Sequence, residues 1–210
     1  MSNPSIDELR NSGEYELIAR LNHQQIKEFV INQLMQNGII IKIYMVYQIL
    51  MILIGTFFFT RSIVLAFKSS LIPLYYSLAA LVFCFSVLII IHELLHGIAL
   101  KIAGAKRVTF GGYLKKFIFY AEADRFVINR WQFAFIALTP LFAVKLITLI
   151  GIIFFFNQPA LYFLIFVMSA HSLFCAGDIG LLSIFYQYKN TDIFTFDVKE
   201  EKTSYFYRKI

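Results

Sequence analysis

Residues 71–103 read LIPLYYSLAALVFCFSVLIIIHELLHGIALKIA, and this run contains only two charged residues, Glu93 and Lys101. A helix needs about 20 apolar residues to cross the hydrocarbon layer of a membrane. The run is continuously apolar and does not alternate with a period of two, so it does not resemble a strand of a membrane barrel. The stretch therefore predicts a membrane helix with a polar group, His92, Glu93 and His96, near its end.

The composition of the whole chain agrees with a membrane protein. Of its 210 residues, 59% are hydrophobic and 15% are charged, against about 45–50% and about 25% in soluble globular domains. A chain of this size must expose much of its surface, so it cannot hide this excess in a core. The composition argues against a soluble monomer, a disordered chain and a collagen-like repeat. With only two cysteines, it also argues against a disulfide scaffold.

The apolar segments predict the fold class, an all-α integral membrane protein with four transmembrane helices. The polar segment 1–37 is expected to form a cytoplasmic amphipathic helical segment, with Ser5 or Asp7 as the cap of its first helix. A small interfacial β-hairpin is expected around Gly111–Gly112 in the middle loop. Residues 188–210 form the predicted cytoplasmic tail. The transmembrane core covers 38–187, with spans at about 38–60, 71–103, 132–156 and 160–186.

The basic residues predict the orientation of the spans. Fifteen Lys and Arg residues lie in the N-terminal segment, the middle loop and the tail, whereas the first loop has only Arg61 and Lys68 and the last loop has none. Lys and Arg accumulate on the cytoplasmic side of membrane proteins. Both termini are therefore expected in the cytoplasm of a multi-pass cell-membrane protein. This distribution explains the net charge of +6 without nucleic acid as a partner.

The five residues His92–His96 form the pattern HExxH. Positions four apart share one face of a helix, so both imidazoles can bind one metal ion, while Glu93 reaches a metal-bound water as general base. Two imidazoles with an open position favour zinc. Ionisable residues at membrane depth indicate function by default. The alternative is a pair of buried structural histidines.

A catalytic zinc site needs a third protein ligand, and the fourth span offers Asp178. His92 lies 19 residues after Pro73, and Asp178 lies 19 residues after Pro159. In straight helices that begin at these prolines, both residues would lie about 28 Å along the helix axis from the proline, at about 1.5 Å per residue. The spacing therefore predicts that His92, His96 and Asp178 meet at one depth.

Other polar residues leave alternatives open. If Asp178 is a structural carboxylate, it is instead expected to pair with Lys145 or with a partner at a helix end. Glu122 is a second candidate for the third ligand, although it lies in a polar stretch that favours a solvated position. His171 precedes Asp178 by seven residues and is a possible auxiliary residue that orients substrate, stabilises an oxyanion or binds metal. Cys175 is expected to be a small packing residue.

These residues resemble the site-2 protease family of intramembrane zinc metalloproteases, and within it the zincin peptidases of bacterial membranes. The similarity runs through His92–Ala105, Val108–Gly111 and Ala176–Asp178, and it covers about 81–180. The resemblance implies zinc held by His92, His96 and Asp178, with Glu93 activating the water. Site-2 proteases usually have an Asn- and Pro-containing stretch before Leu-Asp-Gly, whereas this chain has His171 and Ala-Gly-Asp.

The sequence thus predicts an enzyme, a bacterial zinc metallopeptidase of the membrane. It is expected to hydrolyse peptide bonds of membrane or membrane-adjacent protein substrates near the cytoplasmic face, with the lipid bilayer as its surroundings. The alternatives are a non-proteolytic zinc-binding membrane scaffold and a small metal transporter. Dependence on Glu93 separates them, because neither alternative needs a general base between its two histidines.

Overall fold

The computed structural model of the protein describes residues 3–35, 38–113, 118–188 and 191–210. Three of the basic residues counted for the orientation, Lys115, Lys116 and Lys189, lie outside these ranges, as does the turn of the predicted hairpin. The described helices and strands are α1 (Ile6–Asn11), β1 (Tyr15–Asn22), α2 (Ile26–Leu34), α3 (Ile39–Lys68), α4 (Ile72–Cys84), α5 (Val87–Ile102), β2 (Thr109–Tyr113), β3 (Ile118–Glu122), β4 (Ile128–Asn129), α6 (Arg130–Phe154), α7 (Ala160–Phe174), α8 (Ala176–Gln187), β5 (Ile193–Val198) and β6 (Thr203–Lys209).

The chain is mostly helical, and its long helices suit a membrane. Among the described residues, α3 and α6 are each long and apolar enough to span it alone. Two bent pairs, α4 with α5 and α7 with α8, raise the number of candidate spans to four if each pair counts as one. The second and fourth predicted spans are therefore interrupted helices, with breaks at Phe85–Ser86 and at Cys175.

Neither break contains proline or glycine, so composition gave no sign of it. At the first, the Ser86 hydroxyl donates to the carbonyl of Val82 at 2.7 Å. At the second, the backbone N–H of Cys175 bonds to the carbonyl of His171 at 3.4 Å. Local hydrogen bonds of this kind satisfy helix ends. A rise of 1.5 Å per residue does not continue through such breaks, so the depth estimate for Asp178 does not apply.

The chain divides into two compact units. The sheet unit comprises Met1–Ile41, Glu93–Thr139 and Gly177–Ile210, and the helical unit comprises Lys42–His92 and Pro140–Ala176. The boundary between them falls inside four helices, α3, α5, α6 and α8. Each unit has its own packing.

The sheet unit contains an antiparallel sheet with strand order β1-β6-β5-β4. Leu21 of β1, Phe206 of β6 and Phe185 of α8 are buried in one cluster. The rings of Phe185 and Phe206 have centroids 5.9 Å apart. Burial of large aromatic side chains stabilises such a layer of helix on sheet.

This sheet departs from the all-α prediction, since the N-terminal segment contains a strand between two helices. Ser5 does cap α1, and the side chain of Glu8 completes a capping box with it. Residues 15–22, however, form β1 and pair with β6, from Tyr15 opposite Lys209 to Asn22 opposite Thr203. A strand whose partner lies at the far end of the chain is specified by that pairing and not by local periodicity.

The predicted hairpin is present as a two-stranded sheet of β2 and β3. Gly111 lies opposite Tyr120, and Thr109 lies opposite Glu122. The hairpin belongs to the sheet unit and follows α5 directly in the chain.

The helical unit is held by close contacts between helices. Gly55 of α3 lies against Ser169 of α7, where a Cβ atom would come within 2.8 Å of the serine Cβ. Tyr44 donates its hydroxyl to the carbonyl of Ser172. Small residues let membrane helices approach closely, and polar side chains bond across them. Large apolar residues such as Phe57 and Phe142 are exposed, as expected for side chains that face lipid.

Candidate metal centre

The HExxH residues lie in the middle of α5, a helix that runs without a break from Val87 to Ile102. His92 and His96 are buried, with 6% and 9% of their surfaces exposed. They lie four residues apart and so share one face of the helix. Ile90, Leu94 and Ile98 follow the same spacing, and each is about half exposed. The helix therefore has one polar buried face and one apolar exposed face.

Two glycines after the motif have structural roles. Gly104 has a φ of +108°, a backbone conformation that favours glycine, and it follows the end of α5, where the N–H of Ala105 bonds to the carbonyl of Leu100 at 3.0 Å. Gly97, next to His96, faces the hairpin. A Cβ atom at Gly97 would lie 2.6 Å from Cζ of Phe110. Glycine at this position lets β2 pack directly on the helix that bears His96.

Within the sheet unit, His96 and Asp178 come together. Nε2 of His96 lies 3.1 Å from Oδ1 of Asp178. The other ring nitrogen, Nδ1, donates to the carbonyl oxygen of Ile136 on α6 at 3.0 Å. A neutral imidazole carries one N–H, so in the neutral ring the Nε2 that faces the carboxylate has a lone pair. Two lone-pair atoms this close need a cation between them, either a proton or a metal ion.

Asp178 lies in the first turn of α8, directly after the break at Cys175. The start of a helix carries partial positive charge and favours an ionised carboxylate there. The side chain of Asp178 is 18% exposed. The break thus gives Asp178 a position at a helix start, which a continuous span through residue 186 would not have given it.

Within the helical unit, His92 lies beside His171 and Cys175. Nδ1 of His92 lies 3.1 Å from Nε2 of His171. Sγ of Cys175 lies 3.8 Å from Nδ1 of His171. All three residues are buried, and each offers a potential ligand atom within 4.8 Å of the others. The expected auxiliary residue His171 is therefore a direct neighbour of His92.

The boundary between the units falls between His92 and Glu93. Asp178 therefore contacts His96 within the sheet unit, and His171 contacts His92 within the helical unit. Both histidines of the motif lie on the same helix, α5. Zinc held jointly by His92, His96 and Asp178 stays a prediction.

The structure also describes Lys145, the alternative partner of Asp178, and Glu122, the alternative third ligand. Nζ of Lys145 lies 2.9 Å from Sδ of Met51 and 4.8 Å from the ring centroid of Tyr47, all within the helical unit. Lys145 thus sits over an aromatic face, which attracts a cation. Glu122 is not solvated, since only 5% of its surface is exposed.

Glu122 belongs to a buried polar cluster in the sheet unit that the sequence did not indicate. One of its carboxylate oxygens accepts a hydrogen bond from Thr109 at 3.2 Å, and the other lies 3.9 Å from Nδ1 of His23. Asp197 accepts a hydrogen bond from Ser204 at 2.6 Å. Burial raises the pKa of the Asp197 carboxyl, and Glu122 raises it further, whereas Ser204 and His23 oppose the shift.

A comparison with family models identifies the relationship of the chain. The model of a family described as "Putative zincin peptidase" matches residues 85–193, just over half of the chain. The chain belongs to this family. The matched range includes the HExxH motif, His171 and Asp178. Searches of the curated proteins and of the solved structures give no match.

Membership in the zincin peptidase family supports a zinc metallopeptidase. The donor types in the chain agree with this, because zinc is bound by imidazole nitrogen, carboxylate oxygen and thiolate sulfur. The carbonyl of Ile136, which orients His96, could not have been found from the sequence, since any residue type supplies a backbone carbonyl.

Proposed function

We propose that the protein is an intramembrane zinc metalloprotease of the site-2 protease type. It hydrolyses peptide bonds of membrane or membrane-adjacent protein substrates near the cytoplasmic face. The observation that carries the proposal is the approach of two potential ligand atoms in the sheet unit, Nε2 of His96 and Oδ1 of Asp178, which lie 3.1 Å apart. Two atoms each about 2.0–2.2 Å from a common zinc ion have a separation of this order.

His92, His96 and Asp178 would hold the ion, as two imidazoles and a carboxylate. This set leaves a position open, as in catalytic zinc sites with three protein ligands. When bound, zinc acts as a Lewis acid that polarises a carbonyl group and lowers the pKa of water. The bond from Nδ1 of His96 to the carbonyl of Ile136 leaves Nε2 as the ring nitrogen that would bind the ion.

Glu93 is the proposed general base and is the catalytic residue. It follows His92 directly in α5, and it is half-buried. A carboxylate in this position takes the proton of the attacking water and returns it to the leaving amine. Neither His92 nor His96 can perform this step while its ring nitrogen is a ligand.

The proposed location is the cell membrane of a bacterium, with several spans and with both termini in the cytoplasm. The excess of Lys and Arg in the N-terminal segment, the middle loop and the tail supports this orientation. The long apolar helices support a membrane location.

Metal analysis combined with cleavage tests the function. The purified protein is expected to hold about one zinc ion. When it is reconstituted into vesicles together with dye-labelled single-span peptides, it is expected to cleave them. Glu93→Gln is expected to keep the metal and lose proteolysis, because the amide cannot accept the proton of water. Glu14→Gln, the same change at an exposed position, is the control. Retained proteolysis in Glu93→Gln contradicts the mechanism.

One observation favours metal transport as a second candidate function. His92, His171 and Cys175 form a buried set of donors in the helical unit, and imidazole with thiolate suits zinc. A transit site of this kind predicts zinc flux into vesicles that requires His92 and not Glu93. Flux that is absent from wild-type vesicles rules this function out.

A further inference from the structure

His171 is more deeply buried than either histidine of the HExxH motif, with 2% of its surface exposed. It lies on α7 in the helical unit, and its Nε2 contacts Nδ1 of His92 at 3.1 Å. The proposed mechanism assigns it no step. A buried imidazole that touches a candidate ligand can act through that ligand.

The chemistry of the two rings determines where their protons lie. If Nε2 of His92 binds the metal, its proton is on Nδ1, the atom that faces His171. Nε2 of His171 must then accept, so the proton of His171 is on its own Nδ1. That nitrogen faces Sγ of Cys175 at 3.8 Å. The thiol of Cys175 in turn donates to the carbonyl of His171 at 3.4 Å.

We propose that His171 is a positioning residue that holds His92 in the tautomer whose Nε2 is available to the metal, and that Cys175 selects the matching tautomer of His171. The inference rests on the proposed function, since it concerns a ligand of the proposed site. Metal-binding histidines generally donate their second N–H to a partner that fixes ring orientation and ligand basicity.

The second histidine of the motif has the same arrangement with a different partner. Nδ1 of His96 donates to the carbonyl of Ile136 in the sheet unit. A carbonyl can only accept, so it fixes the tautomer of His96 by itself. An imidazole can donate or accept, so His171 needs a further partner, and Cys175 provides it. His92 is therefore held by two residues in series, His171 and then Cys175.

The positions of the ring nitrogens and the thiol favour this hydrogen-bond chain over a metal ion held by His92, His171 and Cys175. His92 contacts Nε2 of His171, whereas Cys175 contacts Nδ1, on a different side of the ring. The thiol and His92 are thus bonded to different ring nitrogens, which is the arrangement of a relay. A metal ion in this set remains a distinct outcome of the experiment.

Two near-isosteric substitutions test the proposal, with Co²⁺ and Zn²⁺ affinity measured by competition with a chelating dye. The amide of Gln lies where Nε2 of His171 lies, and the amide of Asn lies where Nδ1 lies. His171→Gln can accept from His92 and is expected to keep metal affinity within about threefold. His171→Asn and His171→Leu are expected to lose about 10–100-fold, the range for partners of ligands.

Ser172→Ala is the matched control, because Ser172 is the next residue on α7, is buried and donates its hydroxyl to the carbonyl of Ser169 in the same helix. It is expected to keep wild-type affinity. Equal losses in His171→Gln and His171→Asn, or no loss in His171→Leu, overturn the proposal. A wild-type protein that binds neither metal contradicts the proposed function itself, which distinguishes the two failures.

The Co²⁺ spectrum decides between the relay and a thiolate ligand. The relay predicts no thiolate-to-cobalt charge-transfer band, and Cys175→Ser is expected to keep metal affinity within about threefold, since a hydroxyl can also donate and accept. A charge-transfer band that disappears in Cys175→Ser places the metal on Cys175 and overturns the proposal.

Discussion

Nε2 of His96 lies 3.1 Å from Oδ1 of Asp178, and the proton of the imidazole is bound on its other side by the carbonyl of Ile136. The second half of the HExxH motif thus meets a carboxylate from a helix more than 80 residues later in the chain. The contact lies within one compact unit. Asp178 can therefore be tested as the third ligand by substitution.

Asp178→Asn is expected to lower zinc affinity by at least about 100-fold, more than the loss of a partner outside the ligand set. The amide is neutral, so it no longer offers a charged oxygen opposite Nε2 of His96. Equilibrium zinc binding of the purified protein measures the effect. Asp192→Asn, at an exposed carboxylate of the same unit, is the control. Unchanged affinity in Asp178→Asn removes Asp178 from the site.

Local chemistry explains which parts of this site could be predicted from the sequence. The relation of His92 to His96 depends only on helical periodicity, so a spacing of four residues was enough. The prediction for Asp178 depends instead on a straight helix after Pro159. The actual helix ends at Phe174, and Asp178 lies in the first turn of the next one.

Other contacts between residues far apart in the sequence could not be predicted. Strand β1 pairs with β6 across most of the chain, and its residues 15–22 read equally well as an amphipathic helix. Glu122 lies in a polar stretch and is nevertheless buried, because His23 and Thr109 lie against its carboxylate. Polarity along the sequence indicates exposure only when no distant polar partner covers the residue.

Gly97 offers a test of the contact between α5 and the hairpin. Alanine is the better helix former by about 1 kcal/mol, yet its Cβ would lie 2.6 Å from Phe110. Gly97→Ala is therefore expected to destabilise the protein by about 1–2 kcal/mol through overpacking. In a Phe110→Ala background the same change is expected to stabilise it by up to about 1 kcal/mol. Unfolding in detergent measures both effects, and the same sign in both backgrounds contradicts the contact.

The proposed orientation can be tested by labelling with a membrane-impermeant maleimide. The two native cysteines, Cys84 and Cys175, are buried. A cysteine at Lys209, in the exposed C-terminal end, is expected to react only after the cells are permeabilised. One at Asn157, in the exposed loop between α6 and α7, is expected to react in intact cells. The reverse pattern places the C-terminus outside, together with the N-terminal strand β1 that pairs with β6.

The buried cluster around Asp197 is expected to make the free energy of unfolding depend on pH. Burial raises the pKa of Asp197 above its ordinary value of 3.8, with a further contribution from Glu122 and Asp124 and opposition from Ser204 and His23. Between the unfolded and the folded pKa, the folded chain holds a proton that the unfolded chain has lost. The free energy of unfolding therefore falls as pH rises through this window.

Asp197→Asn is expected to remove this slope, because the amide stays neutral and can still accept the hydrogen bond from Ser204. Melting temperatures of both proteins in detergent, measured from about pH 4 to about pH 7, test this. The melting temperature of the variant is expected to rise relative to that of the wild type as pH increases. Only the wild type must either ionise a buried carboxyl or keep its proton at increasing cost in free energy. Asp192→Asn, at an exposed position, is expected to leave the slope unchanged. Parallel curves for Asp197→Asn and wild type would mean that Asp197 titrates alike in both states, and the cluster around it would then contribute no pH dependence.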